Sequence, residues 1–155
     1  MSPPEARLQD LGTTLPPPPR PVAKYKSTVM VGNLLYVSGH GPAKGDDPAL
    51  LAGRLGAGMT LEQGKACARL VGINILATVK NALGSLDRVS RLIKTLGMVN
   101  AAPDFLDHPQ VINGFSELMA EVFGDEAGVG SRSAVGMGSL PGNIPVEIEC
   151  IFEVK

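Results

Sequence analysis

Apolar and polar positions along this chain follow two different periods, and the switches between them mark out its elements. From Thr28 to Gly39 the sequence T-V-M-V-G-N-L-L-Y-V-S-G holds two β-rich runs around Gly32-Asn33, a two-residue hairpin signal. Gly, Asp and Pro then dominate from Pro42 to Gly58, which predicts a loop. Thr60 and Gln63 stand at capping-box spacing, and the residues after them run helical to Gly84, a natural stop. Leu61, Cys67, Leu70, Val71, Ile73, Ile75, Leu76, Val79 and Leu83 cover more than one stripe of that helix, so it should be largely buried. Arg88 to Val99 reads as a strand. Pro109 can open the next helix at its first position. There Val111, Phe115, Leu118 and Val122 share one stripe, flanked by Ile112, Met119 and Phe123, until Gly124. The segment Ser131 to Glu149 reads as two strands around a Pro-Gly turn, and apolar alternation continues through Val146, Ile148, Cys150, Phe152 and Val154.

The order β-β-α-β-α-β-β predicts an α+β domain with two helices packed on one face of a sheet. No third helix exists to cover the other face, and the Val146 to Val154 stripe supplies apolar surface to bury. A homo-oligomer is the expectation on that ground. The domain should span 25–155, preceded over 1–24 by an extended arm containing the run Pro16 to Pro19.

Composition narrows the partners. At 155 residues the chain is long enough for one domain with a real core. A formal charge of −1, 4% aromatic residues and no Trp give no footprint for nucleic acid. No run approaches the roughly 18 apolar residues of a membrane span. The opening MSPPEARLQDLG has no basic-then-apolar secretory pattern, so no membrane partner and a cytoplasmic protein are expected. Cys67 and Cys150 lie in apolar segments without a CxxC, as reduced buried thiols do. His40 has no partner at metal spacing, and Gly58 to Lys65 is one residue too long for a phosphate loop, with Ala66 where Ser or Thr is needed. Neither a metal nor an organic cofactor is expected.

The candidate chemistry sits at the C-terminal end. Arg132 opens a strand face otherwise made of Ala134, Gly136 and Gly138, a two-pronged donor beside a surface with almost no side chains. Such a face suits a small-molecule carboxylate. Glu147, on the second strand, is a candidate acid or base, although Glu147 and Glu149 also alternate with Val146 and Ile148 as solvent-facing residues do. If the two strands pair as a hairpin, Arg132 and Glu147 lie roughly 20 Å apart. Either the strands pair otherwise, or a site joins the two residues from different subunits.

Three blocks of the chain resemble the Rid (YjgF) family of imine and enamine deaminases. They are Tyr25-x-x-x-Val29-x-x-Gly32-Asn33-x-Leu35-Tyr36-Val37-Ser38-Gly39-His40-x-Pro42, then Val111-Ile112-Asn113-Gly114-Phe115-Ser116-Glu117, and the Arg132 to Glu149 motif. The resemblance implies a chorismate-mutase-like fold with a mixed sheet, a homotrimer with a cleft at each subunit interface, and cofactor-free hydrolysis of 2-imino acids or enamines to 2-oxo acids and ammonia. It assigns substrate carboxylate binding to Arg132 and water activation to Glu147. Tyr25, Ser38, Gly39, Asn113 and Ala134 would line the cleft. Against the family pattern, His40 replaces a usual Gln, Ser116 an aromatic residue and Ala134 a frequent Cys, and the loop from Gly41 to Gly58 is longer. A non-catalytic carboxylate-binding module of the same fold is the alternative, and an endoribonuclease fits the charge balance less well.

Overall fold

The structure is a computed structural model describing all residues from Met1 to Lys155. Its elements follow in chain order. Helix α1 (Pro4–Asp10) precedes strands β1 (Thr28–Val31) and β2 (Leu34–His40). Two short strands, β3 (Arg54–Leu55) and β4 (Gly58–Met59), lie within the loop region. Helix α2 (Leu61–Leu83), strand β5 (Val89–Asn100), helix α3 (His108–Phe123), the single turn α4 (Asp125–Gly128), β6 (Ser131–Met137) and β7 (Val146–Val154) complete the chain. The predicted order of main elements holds.

Local signals account for the boundaries. Thr60 and Gln63 close both halves of the capping box, and Gly84 ends α2 in the left-handed region at φ 84°. Gly32 takes the positive φ that turns β1 into β2. Helix α3 starts one residue earlier than predicted, with Asp107 at its N-cap, so Pro109 is its second residue and still lies among amides that need no partner.

The five main strands form one mixed sheet in the order β1-β2-β7-β5-β6. Strand β7 lies antiparallel between β2 and β5, and β6 runs parallel to β5 at the sheet edge. The last two strands therefore do not pair as a hairpin, because β7 fills the central gap and β6 crosses back through α3 to the far side of β5. Helices α2 and α3 both pack on one sheet face. Val146, Ile148, Cys150, Phe152 and Val154 point into that core with Leu35, Val37, Val71, Ile75, Phe115 and Ile112. This corrects the predicted use of the β7 stripe: it is buried inside the protomer and leaves nothing for a second subunit. The opposite face instead exposes Val29, Val31 and Tyr36 at 49, 59 and 44%. Glu147 and Glu149 share that face, since their cross-strand partners are Met98 and Leu96. Helix α2 is long and apolar enough to cross a membrane by length and composition alone, yet 61% of that stretch is buried in the fold.

The N-terminal segment departs from the extended arm expected over 1–24. Pro4–Asp10 is helical and docked: Leu8 is buried, and Glu5 accepts from the Leu86 amide at 2.9 Å and pairs with Lys80 at 2.8 Å. Sequence gave no warning because seven residues with one core leucine carry too little periodicity to read.

Candidate functional site

Arg132 lies opposite Thr95 on β5, so its side chain rises on the helix-covered face and meets α3. Its Nη1 donates to Asn113 Oδ1 at 2.8 Å and to Ser116 Oγ at 3.1 Å, and Nη2 donates to the Pro109 carbonyl at 3.4 Å. Positions 109, 113 and 116 share one helical stripe, which is why three residues of α3 can reach one guanidinium. Ala134, opposite Gly97, continues the same strand face. Gly97 lacks a side chain for a reason of space: Ile112 of α3 presses on it, and a Cβ would lie 2.6 Å from the isoleucine side chain. Further along, a Cβ at Gly136 would meet His108 Nε2 at 2.6 Å. That imidazole stacks edge-on with Phe105 at a centroid distance of 5.6 Å.

Glu147 belongs to a second cluster on the other sheet face. Between Val37 and His40, β2 carries two residues where β7 carries only Glu149, a β-bulge at Ser38-Gly39. A Cβ on Gly39 would collide with the Glu147 carboxylate, so the glycine makes room for the acid. Burial, and secondly the Glu149 charge, raise the Glu147 pKa above the ordinary carboxylate value. Ser38 Oγ donates to the Lys26 carbonyl at 2.6 Å, which ties the segment next to half-exposed Tyr25 to the bulge.

His40 supports the bulge from below. Its Nδ1 lies 2.6 Å from the Ser38 carbonyl and its Nε2 2.8 Å from Thr78 Oγ1. Since a carbonyl only accepts, Nδ1 carries the proton and neutral Nε2 accepts from the threonine hydroxyl. Burial lowers the His40 pKa, partly offset by the Ser38 hydrogen bond. The ring faces α2 through Thr78.

The seven sequence-predicted residues thus divide. Arg132, Asn113 and Ala134 form one cluster, with Tyr25, Ser38, Gly39 and Glu147 at the other. Arg132 and Glu147 are two strands apart, about 10 Å, and three residues out of register, about 10 Å more, on opposite faces. Ser116 was missed as a contact of Arg132. Its spacing of three from Asn113 was the available signal. Both cysteines are buried, and burial with the Asp46 charge pushes Cys67 to about 12, so neither is a nucleophile at neutral pH.

Comparison with known proteins places these clusters in context. Residues 5–152 match the family described as "YjgF/chorismate_mutase-like, putative endoribonuclease". The chain is 40% identical over 150 residues to Protein TCP17 of Trypanosoma cruzi, covering 97% of this chain and 93% of that one. A crystal structure described as a putative endoribonuclease from Shewanella oneidensis superposes with a TM-score of 0.92 at 31% identity, over 99% of this chain and all of the other. RidA from an Antarctic Psychrobacter superposes at 0.58 with 29% identity, over 88 and 94% of the two chains.

Proposed function

Since the chain belongs to the YjgF/chorismate-mutase-like family, with RidA among its structural relatives, we propose that it hydrolyses small 2-imino acids or their enamine tautomers to 2-oxo acids and ammonia. The observation that carries this reading is the guanidinium of Arg132, held by α3 at the end of a strand face whose own side chains are small, Ala134 and Gly136, with His108 over the glycine. The substrate carboxylate binds there in the fork of the guanidinium. Glu147 takes a proton from water as the new C–O bond forms at the iminium carbon. Glu147 passes that proton to the nitrogen of the resulting carbinolamine, the C–N bond breaks to release ammonia, and the hydroxyl proton returns to the Glu147 carboxylate as the C=O of the 2-oxo acid forms. An iminium is already electrophilic, so positioning and one base of raised pKa are sufficient chemistry. No residue here requires a metal or organic cofactor for that step.

Because the two clusters occupy opposite faces of one sheet, a Glu147 can act on a substrate at Arg132 only from another copy of the chain. A homotrimer with sites between protomers, located in the cytoplasm, is the assembly proposed, and the uncovered sheet face with Val29, Val31 and Tyr36 supports it. The test is hydrolysis of 2-iminopropionate and 2-iminobutyrate generated in situ. Wild type should accelerate both, while Arg132→Ala and Glu147→Gln should each lose at least about 100-fold in rate. Mixing the two inactive variants should restore part of the activity, because mixed oligomers regain some intact sites. The word endoribonuclease in the descriptions of the family and of the Shewanella relative makes RNA cleavage the competing activity. Degradation of RNA that survives Arg132→Ala, with no imine hydrolysis, would overturn the proposal.

A further inference from the structure

A guanidinium has five N–H groups in a rigid plane, and how they are used decides what else the group can bind. Nη1 of Arg132, the nitrogen on the Cδ side, has both hydrogens engaged, by Asn113 Oδ1 at 2.8 Å and Ser116 Oγ at 3.1 Å. Nη2 gives one hydrogen to the Pro109 carbonyl at 3.4 Å, and Nε has no protein partner. What remains is Nε–H and one hydrogen of Nη2, the two nitrogens flanking the edge opposite Nη1.

We propose that Ser116 is a positioning residue, which with Asn113 locks Nη1 so that Arg132 offers its Nε/Nη2 edge to a planar carboxylate lying along Ala134. This rests on the carboxylate-binding role given to Arg132 above and specifies its geometry. With Ser116 in place the end-on grip through Nη1 and Nη2 is blocked, and only the side-on grip is open. With one clamp point lost, the guanidinium plane turns about the Cδ–Nε bond and Nη1 competes with the side-on edge. Asn113 and the long 3.4 Å contact to the Pro109 carbonyl are then the remaining restraints, and they hold the plane less firmly than all three bonds do. A hydroxyl is sufficient for the task, so threonine at this position preserves it and alanine does not.

The experiment is titration of the full-length protein with 2-oxobutyrate, a stable product-like carboxylate that requires no turnover. Calorimetry supplies the affinity, and nitrogen-15 spectra of the Arg132 Nε–H report the edge directly. Ser116→Ala should weaken binding about fivefold, since the lost bond holds the guanidinium and does not touch the ligand itself, and Ser116→Thr should bind as wild type does. The Nε–H resonance should shift on binding in wild type, and the shift should shrink in Ser116→Ala. In turnover of 2-iminobutyrate, KM should rise with kcat little changed. A purely structural serine would lower the unfolding temperature and leave affinity and KM unmoved, and that result overturns the proposal. If Arg132→Ala abolishes 2-oxobutyrate binding while Ser116→Ala does not weaken it, the anchor stands and the positioning role fails. Wild type that does not bind 2-oxobutyrate at millimolar concentrations overturns both.

Discussion

Gly114→Ala tests the helix contact that holds the Arg132 clamp in place. Gly114 lies where α3 crosses α2, and a Cβ there would run into the Lys65 carbonyl oxygen, with Lys65 C at 2.9 Å and Arg69 N at 3.2 Å. All are backbone atoms of a continuous helix, so no rotamer change relieves the collision and α3 must move off α2. Overpacking of this kind costs about 1–3 kcal/mol, and a rigid obstacle puts it at the upper end. Alanine's better helix propensity offsets about 1 kcal/mol, leaving a net loss of about 2 kcal/mol. Gly72 is the control on α2. Its Cβ would meet only side-chain ends, Leu118 Cδ2 at 2.9 Å, Phe115 Cδ2 at 3.2 Å and Met119 Cε at 3.5 Å. Those can turn aside, so Gly72→Ala should stay within about 1 kcal/mol of wild type. Urea unfolding at one fixed protein concentration measures both. With a slope of about 2 kcal/mol per molar urea, the midpoint should fall by about 1 M for Gly114→Ala and by under about 0.5 M for Gly72→Ala. Since Asn113 and Ser116 move with α3, Gly114→Ala should also bind 2-oxobutyrate more weakly. A Gly114→Ala protein as stable as wild type, or less damaged than Gly72→Ala, would refute the reasoning.

Glu147 should give kcat/KM a rising limb centred above the ordinary carboxylate pKa of about 4.3, and Glu149→Gln should move it to lower pH by removing a like charge. A limb that Glu149→Gln leaves in place would contradict that cause. Its folded pKa is raised, so its stabilising contribution belongs to acid pH and is lost as pH rises through the folded value; Glu147→Gln should gain stability on wild type between pH 4 and pH 7. For His40 the shift is downward, so its contribution is complete above about pH 6.5 and falls away on acidification. Thermal unfolding between pH 7 and pH 5 should therefore fall more steeply in wild type than in His40→Gln, and equal slopes would count against the neutral ring. Burial pushes the Glu5 pKa up, but the Lys80 side chain and the Leu86 amide outweigh it, and the net shift is downward. Glu5→Gln should loosen α1 at neutral pH, seen as faster amide exchange at Arg7 and Leu11, with the difference vanishing as wild-type Glu5 protonates.

What could be read directly from the chain were the pieces whose causes are local. The capping box at Thr60 and Gln63, the left-handed stop at Gly84, the Gly32 turn and the α3 stripe each depend on residues within a few positions of one another. Arg132 and Glu147 could be picked out for the same reason, because a guanidinium beside glycines and a carboxylate in an apolar strand are visible in sequence. Strand order was not local. Whether β6 pairs with β7 or with β5 depends on the crossover through α3 and on β7 filling the gap beside β2, contacts between residues tens of positions apart. That pairing decided which way the Val146 to Val154 stripe points and placed Arg132 and Glu147 on opposite sheet faces. The Ser116 contact and the glycine that admits Glu147 were likewise settled only in three dimensions. A hydrogen bond between α3 and β6, or a missing Cβ between β2 and β7, exists only once the sheet has set those elements side by side.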